Sequence, residues 1–280
     1  MSSQHTRRAF LAGVSVSSLG LAGCTSRGDV RELTGPTFDS LVSDITVGSQ
    51  DVVVELASSD VTEVVLVAPD GTAFDSQKVQ TGVNTVRFQI IELDLELASS
   101  SHYTPGTYEI VVVANDTEFK QVLSIVPDIQ LTEVRQYRTG ESPSDLARIV
   151  FTVTNVGTGP TWIYDAAFDD APNYTANGDL NGTPSIPYLQ SPTTADELIV
   201  AENKTQSYLD ASKPLAFPEA DYSCERESQL FRMRIGISDG SVIETELHPT
   251  CNGDRISLNL VDRAVYTRTE IEWETAEKSL

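Results

Sequence analysis

Lysine is scarce in this chain of 280 residues: of 19 basic residues only five are lysine (Lys78, Lys120, Lys204, Lys213 and Lys278), against 41 acids and a formal net charge of −22. That deficit argues against nucleic acid as a partner, because neutralising phosphates takes a basic surface that is missing here. Histidine and cysteine are equally sparse, with three of each. His102 and His248 lie far from other histidines, so no histidine metal site is legible and both read as surface residues. No apolar run is long enough to span about 30 Å of hydrocarbon comfortably. What is present is a 40% hydrophobic content spread along the whole length, which excludes a disordered acidic tail and gives room for two ordinary cores. A high acidic charge with little lysine is a composition suited to concentrated salt, which screens self-repulsion.

Residues 1 to 24 contain no Asp or Glu, although acids recur throughout the remainder. The segment reads as an export signal. Thr6-Arg7-Arg8-Ala9-Phe10-Leu11 places a twin-arginine pair, Arg7 and Arg8, ahead of a short apolar stretch from Ala12 to Gly23. The stretch closes on Leu21-Ala22-Gly23-Cys24. This arrangement resembles the leader of a twin-arginine-exported lipoprotein of an extreme halophile. The resemblance implies cleavage after residue 23, lipidation of Cys24, and attachment to the extracytoplasmic face of the membrane through that lipid. Loss of Arg7 and Arg8 would leave 17 bases against 41 acids, a net charge of −24, so an anionic bilayer would repel the body and the anchor must hold it. Residues 24–36 form a polar tether.

From residue 37 the pattern is that of strands. Val52–Leu56, Glu63–Val67, Thr85–Ile90, Tyr108–Val113 and Gln121–Ile125 are rich in β-branched and aromatic residues, with turn signals at Pro69-Asp70-Gly71, Thr81-Gly82 and Pro105-Gly106. The expected fold class is all-β: two immunoglobulin-like β-sandwich domains in tandem, at 37–127 and 128–280. Tyr108, following the Pro105-Gly106 turn, resembles the corner tyrosine of such domains. In the second half, Ala147–Thr154 runs into Asn155-Val156-Gly157-Thr158-Gly159-Pro160-Thr161-Trp162. A strand ending in Thr-Asn-x-Gly and returning as an apolar strand resembles the cell-adhesion-related (CARDB-like) domain of bacterial and archaeal surface proteins, over about residues 129–215. The physical content of that match is taken to be positive φ at the turn. That family shares a scaffold and no active site, so the resemblance implies none here.

The stretch 169–196, with Pro172, Pro184, Pro187 and Pro192, lacks strand periodicity and reads as a long loop. With Tyr174 and Tyr188, and Trp162 nearby in sequence, it is the expected binding surface. Export leaves Cys224 and Cys251 as an even pair, expected as a disulfide. Between them Asp239-Gly240 reads as a two-residue hairpin turn, so paired positions should sum to 479. Four N-x-[ST] sequons, at Asn115, Asn173, Asn181 and Asn203, fall in expected turns or loops and are glycosylation acceptors in an exported protein. Gly236-Ile237-Ser238-Asp239-Gly240 has the G-x-S-x-G text of serine hydrolases, but a strand rather than a helix is expected after it. Asn173–Gly178 starts like a calcium loop and fails at its twelfth position, Pro184; Asp165, Asp169, Asp170 and Asp179 remain only weak cation ligands.

The resulting expectation is a non-catalytic, lipid-anchored adhesion, scaffold or envelope-interaction module with no cofactor, whose partners are the membrane and an envelope protein or glycan. The alternatives are an accessory or solute-capturing lipoprotein of a transporter or secretion complex and, behind it, a hydrolase acting through Ser238.

Overall fold

A computed structural model describes residues 36–280 apart from 141, 174–175, 177, 179, 181–187, 219–229, 259–261, 275–276 and 280. Among the described residues the protein is built almost wholly of antiparallel strands, with two single α-helical turns, α1 (Phe38–Leu41) and α2 (Ala195–Leu198), and a short 3-10 helix at Pro143–Ala147. Among the described residues no helix is long and apolar enough to cross a membrane.

The first half contains β1 (Val42–Val47), β2 (Asp51–Leu56), β3 (Val61–Val67), β4 (Ala73–Lys78), β5 (Thr85–Gln89), β6 (Ile91–Asp94), β7 (Ser99–His102), β8 (Gly106–Ala114) and β9 (Thr117–Ile125). They form the sheets β1-β2-β5 and β4-β3-β8-β9 and the hairpin β6-β7. The alternation is direct: Val52, Val54 and Leu56 of β2 and Val64 and Leu66 of β3 are buried, while intervening residues are less so. Tyr108 is fully buried and its hydroxyl donates to the Thr104 carbonyl at 2.9 Å. This is the tyrosine corner expected of an immunoglobulin-like β-sandwich. Phe74 packs edge-on against the same ring at 6.1 Å.

The second half contains β10 (Ile129–Gln136), β11 (Ile149–Asn155), β12 (Thr161–Asp169), β13 (Leu189–Ser191), β14 (Ile199–Val200), β15 (Thr205–Asp210), β16 (Phe217–Pro218), β17 (Phe231–Ile237), β18 (Val242–Leu258), β19 (Arg263–Trp273) and β20 (Glu277–Ser279). One sheet runs β10-β11-β15-β13; the other runs β14-β12-β17-β18-β19-β16, with β20 also on β18. Buried Gln136 ties the two together: its amide nitrogen donates to the carbonyls of Leu146 and Tyr266, and its oxygen accepts from the Thr269 N–H. Phe151 stacks on Tyr208 at 5.4 Å between the layers.

No described sheet mixes strands from before and after Val126–Asp128, yet residues from both halves belong to one continuous apolar core. The C-terminal segment, polar toward its end, is a full strand because β19 pairs with β18 from Arg263 to Trp273.

Two sequence expectations need correction. The β17–β18 hairpin pairs Phe231 with Leu247 and Gly236 with Val242, a sum of 478 rather than 479. The loop is the three residues Ser238, Asp239 and Gly240, with Ile237 N–H donating to Ser241 and only Gly240 at positive φ, +91°. A turn closed by a left-handed glycine adds one residue to the two expected, and that step changes which face every side chain takes. The stretch 169–196 is likewise not all loop. Leu189–Ser191 pairs with β15, a helical turn begins at Ala195, and Ala171, Ala176 and Pro192 are buried. Elements this short have no room for periodicity to register.

Candidate functional site

The seam between the halves is built around Asn155, the last residue of β11 and fully buried. Its amide oxygen accepts from the N–H groups of Asp128 (3.1 Å) and Gly157 (2.9 Å), and its nitrogen donates to the carbonyls of Gly159 (2.8 Å) and Val200 (2.9 Å). One side chain thus binds the inter-half linker, its own turn and β14. Backbone bonds reinforce it: Val156 N–H donates to Asp128, and Thr158 and Gly159 N–H both donate to Val126. A Cβ on Gly157 would overlap the Val126 carbonyl and one on Gly159 would overlap the Tyr103 hydroxyl, so only glycine fits at either place. Neither Asn155 nor these glycines is at positive φ. The Thr-Asn-x-Gly passage therefore owes its residue types to hydrogen bonding and close approach, which corrects the expected role in turn conformation.

Tyr103 and His102 complete the seam from the first half. The Tyr103 hydroxyl donates to the Pro160 carbonyl at 2.8 Å, and burial pushes its pKa up. The His102 ring stacks on Tyr103 at 4.4 Å and lies 5.2 Å from the Trp162 ring. Its Nδ1 lies 2.6 Å from the Tyr103 carbonyl, and its Nε2 is buried without a partner among the described residues. Burial holds its pKa down. His102 is therefore part of the seam rather than the surface residue expected.

Trp162, expected on the binding surface, is fully buried beneath this seam, and its backbone N–H donates to Ser238 Oγ at 3.2 Å. A ring that meets no solvent presents nothing to a ligand, so it leaves the candidate surface. Tyr188 stays in it, 69% exposed, with its N–H donating to the Tyr164 carbonyl at 2.7 Å. Tyr174 lies outside the described residues, as do Arg7, Arg8, Cys24, Cys224 and Asn181. Asn115 stands exposed at φ +50° in the β8–β9 turn, and Asn203 exposed at φ +57° before β15, where its Nδ2 donates to Glu202 Oε1 at 3.3 Å. Asn173 is half-buried and its Nδ2, the atom a sugar would occupy, donates to the Lys213 carbonyl at 3.1 Å.

Ser238 is buried in the hairpin turn, 2.9 Å from Thr161 Oγ1, and is followed by β18 instead of a helix. Its hydroxyl works as an internal tie between β12 and the turn. Asp169 is held by Arg234 at 3.0 Å, and burial raises the pKa of Asp165.

One cluster escaped the sequence reading. Glu246 and His248 are two residues apart on β18, and Glu274 follows β19; their ligand-type atoms lie within 4.8 Å of one another. In the β18–β19 register His248 faces Glu272, and Glu274 N–H donates to the Glu246 carbonyl at 3.2 Å. The Glu-x-His spacing was legible, but Glu274 joins only because β19 pairs back along β18.

No family model matches the chain, and no curated protein matches it. Among solved structures, the chain is similar to trypsin-activated alpha-2-macroglobulin from Escherichia coli, at 11% identity over 77% of this chain and a TM-score of 0.19. It is also similar to Salmonella alpha-2-macroglobulin reacted with methylamine, at 12% identity over 87% of this chain and a TM-score of 0.20. The chain spans 16% and 19% of those proteins. At these scores the likeness adds nothing to the fold as described, an all-β protein with the tyrosine corner of an immunoglobulin-like sandwich.

Proposed function

We propose that this chain is a twin-arginine-exported lipoprotein, held at the extracytoplasmic face of the membrane by a lipid on Cys24, whose β-sandwich body is a non-catalytic adhesion, scaffold or envelope-interaction module. The observation that carries this reading is the acid-free leader, in which Arg7-Arg8 precedes an apolar stretch closing on Leu21-Ala22-Gly23-Cys24. A cross-braced β body with a mainly internal role for Ser238 is compatible with a scaffold. Among the described residues, the exposed Tyr188 is the contact residue that remains from the expected surface. The resemblance of the second half to the cell-adhesion-related domain supports adhesion, and the lysine-poor, acid-rich composition supports a salt-adapted setting.

The same setting favours a Cys224–Cys251 disulfide; Cys251 is half-buried on β18, and Cys224 lies outside the described residues. It also favours glycosylation, for which Asn115 and Asn203 are better placed than Asn173.

Cell fractionation tests the anchor. The native chain should pellet with membranes and Cys24→Ser should move to the soluble exported fraction. Membrane retention of Cys24→Ser, or native chain in the cytosol with its leader intact, would overturn the reading.

A further inference from the structure

We propose that Glu246, His248 and Glu274 form a binding site for one divalent transition-metal ion of the zinc class. Side chains two apart on a strand point to the same face, so Glu246 and His248 stand side by side on the less buried face of β18, where the even-numbered residues from Val242 to His248 are half-buried and the odd-numbered ones from Ile243 to Pro249 buried. The third ligand is delivered by pairing. Glu274 is pinned opposite Glu246 by two bonds, its N–H donating to the Glu246 carbonyl at 3.2 Å and its carbonyl accepting from Thr245 Oγ1 at 2.8 Å. The three donor atoms come within 4.8 Å of one another without any adjustment.

Two features separate this group from an ordinary acidic patch. It contains an imidazole, and a nitrogen donor beside two carboxylates suits zinc and its transition-metal neighbours, whereas calcium and magnesium take oxygen ligands. The three side chains also have no hydrogen bond or ion pair with any described residue, although Arg232 stands opposite Glu246 in the β17–β18 register. Two carboxylates held together without a protein cation leave a negative charge that a bound metal would neutralise. Three protein ligands leave a coordination position open to water or to a donor from a partner, the arrangement of an accessible rather than a closed site. Glu272, facing His248 across the strands, stands within the same acidic surround. This inference does not depend on how the chain is anchored.

The test is titration of the chelator-treated full chain with zinc chloride by calorimetry, and with cobalt(II) by visible absorption. One ion should bind per chain, and the cobalt form should show ligand-field bands of a nitrogen-containing site. His248→Ala and Glu274→Gln should each weaken binding at least about tenfold, the scale on which metal sites respond even to losses outside the ligand set. Glu270→Gln, on the same strand but outside the triad, should bind as the native chain does. Excess calcium should leave zinc in place. Should His248→Ala fail to fold by circular dichroism, Glu274→Gln decides, because Glu274 is exposed beyond the end of β19. Absence of saturable zinc binding, native affinity in Glu274→Gln, or displacement by calcium would overturn the proposal.

Discussion

Asp210, at the end of β15, is completely buried and accepts from the Ile149 N–H and from the Ser212 hydroxyl, the latter at 2.7 Å. Burial raises its pKa to about 7, against the opposing pull of those bonds and of the Arg148 guanidinium. The folded chain therefore keeps a proton on Asp210 over a range where the unfolded chain, near 3.8, has lost it. With more protons bound in the native state, stability from this group falls as pH rises from about 4 to about 7. Asp210→Asn removes that slope. Denaturant melts of native and variant chains at several pH values should show the native chain losing ground to the variant across this window. The loss should be a few kcal/mol at most, because each tenfold difference in proton affinity between the folded and unfolded chains is worth about 1.4 kcal/mol. Parallel curves would contradict the assignment. Nothing in the sequence marked Asp210, because apart from Ser212 the partners named above come from Arg148 and Ile149, which only the fold brings near.

Single elements show where reading by pattern succeeds and where it stops. Strands with alternating burial, such as β2 and β3, were legible to within one or two residues, because burial on one face leaves a period of two. The edge strand β4 was not, since its residues are mostly exposed and carry no apolar stripe. The hairpin turn at Ser238–Gly240 was located but misregistered by one, because Asp-Gly occurs in both two-residue and three-residue loops. The β11–β12 turn was singled out by its text, Thr-Asn-x-Gly, while the reason for that text was hidden in Asp128 and Val200, partners remote in sequence. Asn155→Ala should strip four backbone groups of their partner at once, the buried carbonyls of Gly159 and Val200 and the part-buried N–H groups of Asp128 and Gly157. At about 1–3 kcal/mol for each buried group left unsatisfied, with relaxation recovering part of it, a loss of about 3 kcal/mol or more is expected in chemical denaturation. A loss under about 1 kcal/mol would mean that the seam is held by the backbone bonds alone.

At the scale of the whole molecule, charge is the dominant fact. Forty-one acids against 19 bases repel one another over distances set by ionic strength, about 3 Å at 1 M salt and about 30 Å at 0.01 M. Moving the chain from molar potassium chloride to millimolar buffer should lower its melting temperature by several degrees, measured by calorimetry or circular dichroism. An unchanged melt would argue that the acids are spaced too widely to matter. Ion pairs among the described residues do little to offset this, because most, such as Arg87–Asp51 and Lys120–Glu109, are exposed and contribute little. The all-β class was legible from composition and turn spacing. The candidate site was legible only in part: Tyr188 is exposed, but Trp162, whose aromatic character suggested contact, serves the interior. The Glu246–His248–Glu274 group was missed because sequence distance hides strand pairing.

The bracing of Val126–Asp128 by Asn155 bears on how the body would respond to a pull. A bare linker between two sandwiches acts as a swivel and stretches before either half feels a load. Here a tug on one end reaches the linker as a sideways strain on bonds to the Asn155–Gly159 turn, several of which share the load at once. Such a joint should behave as a stiff strut, fixing the reach and angle between the two ends of the body.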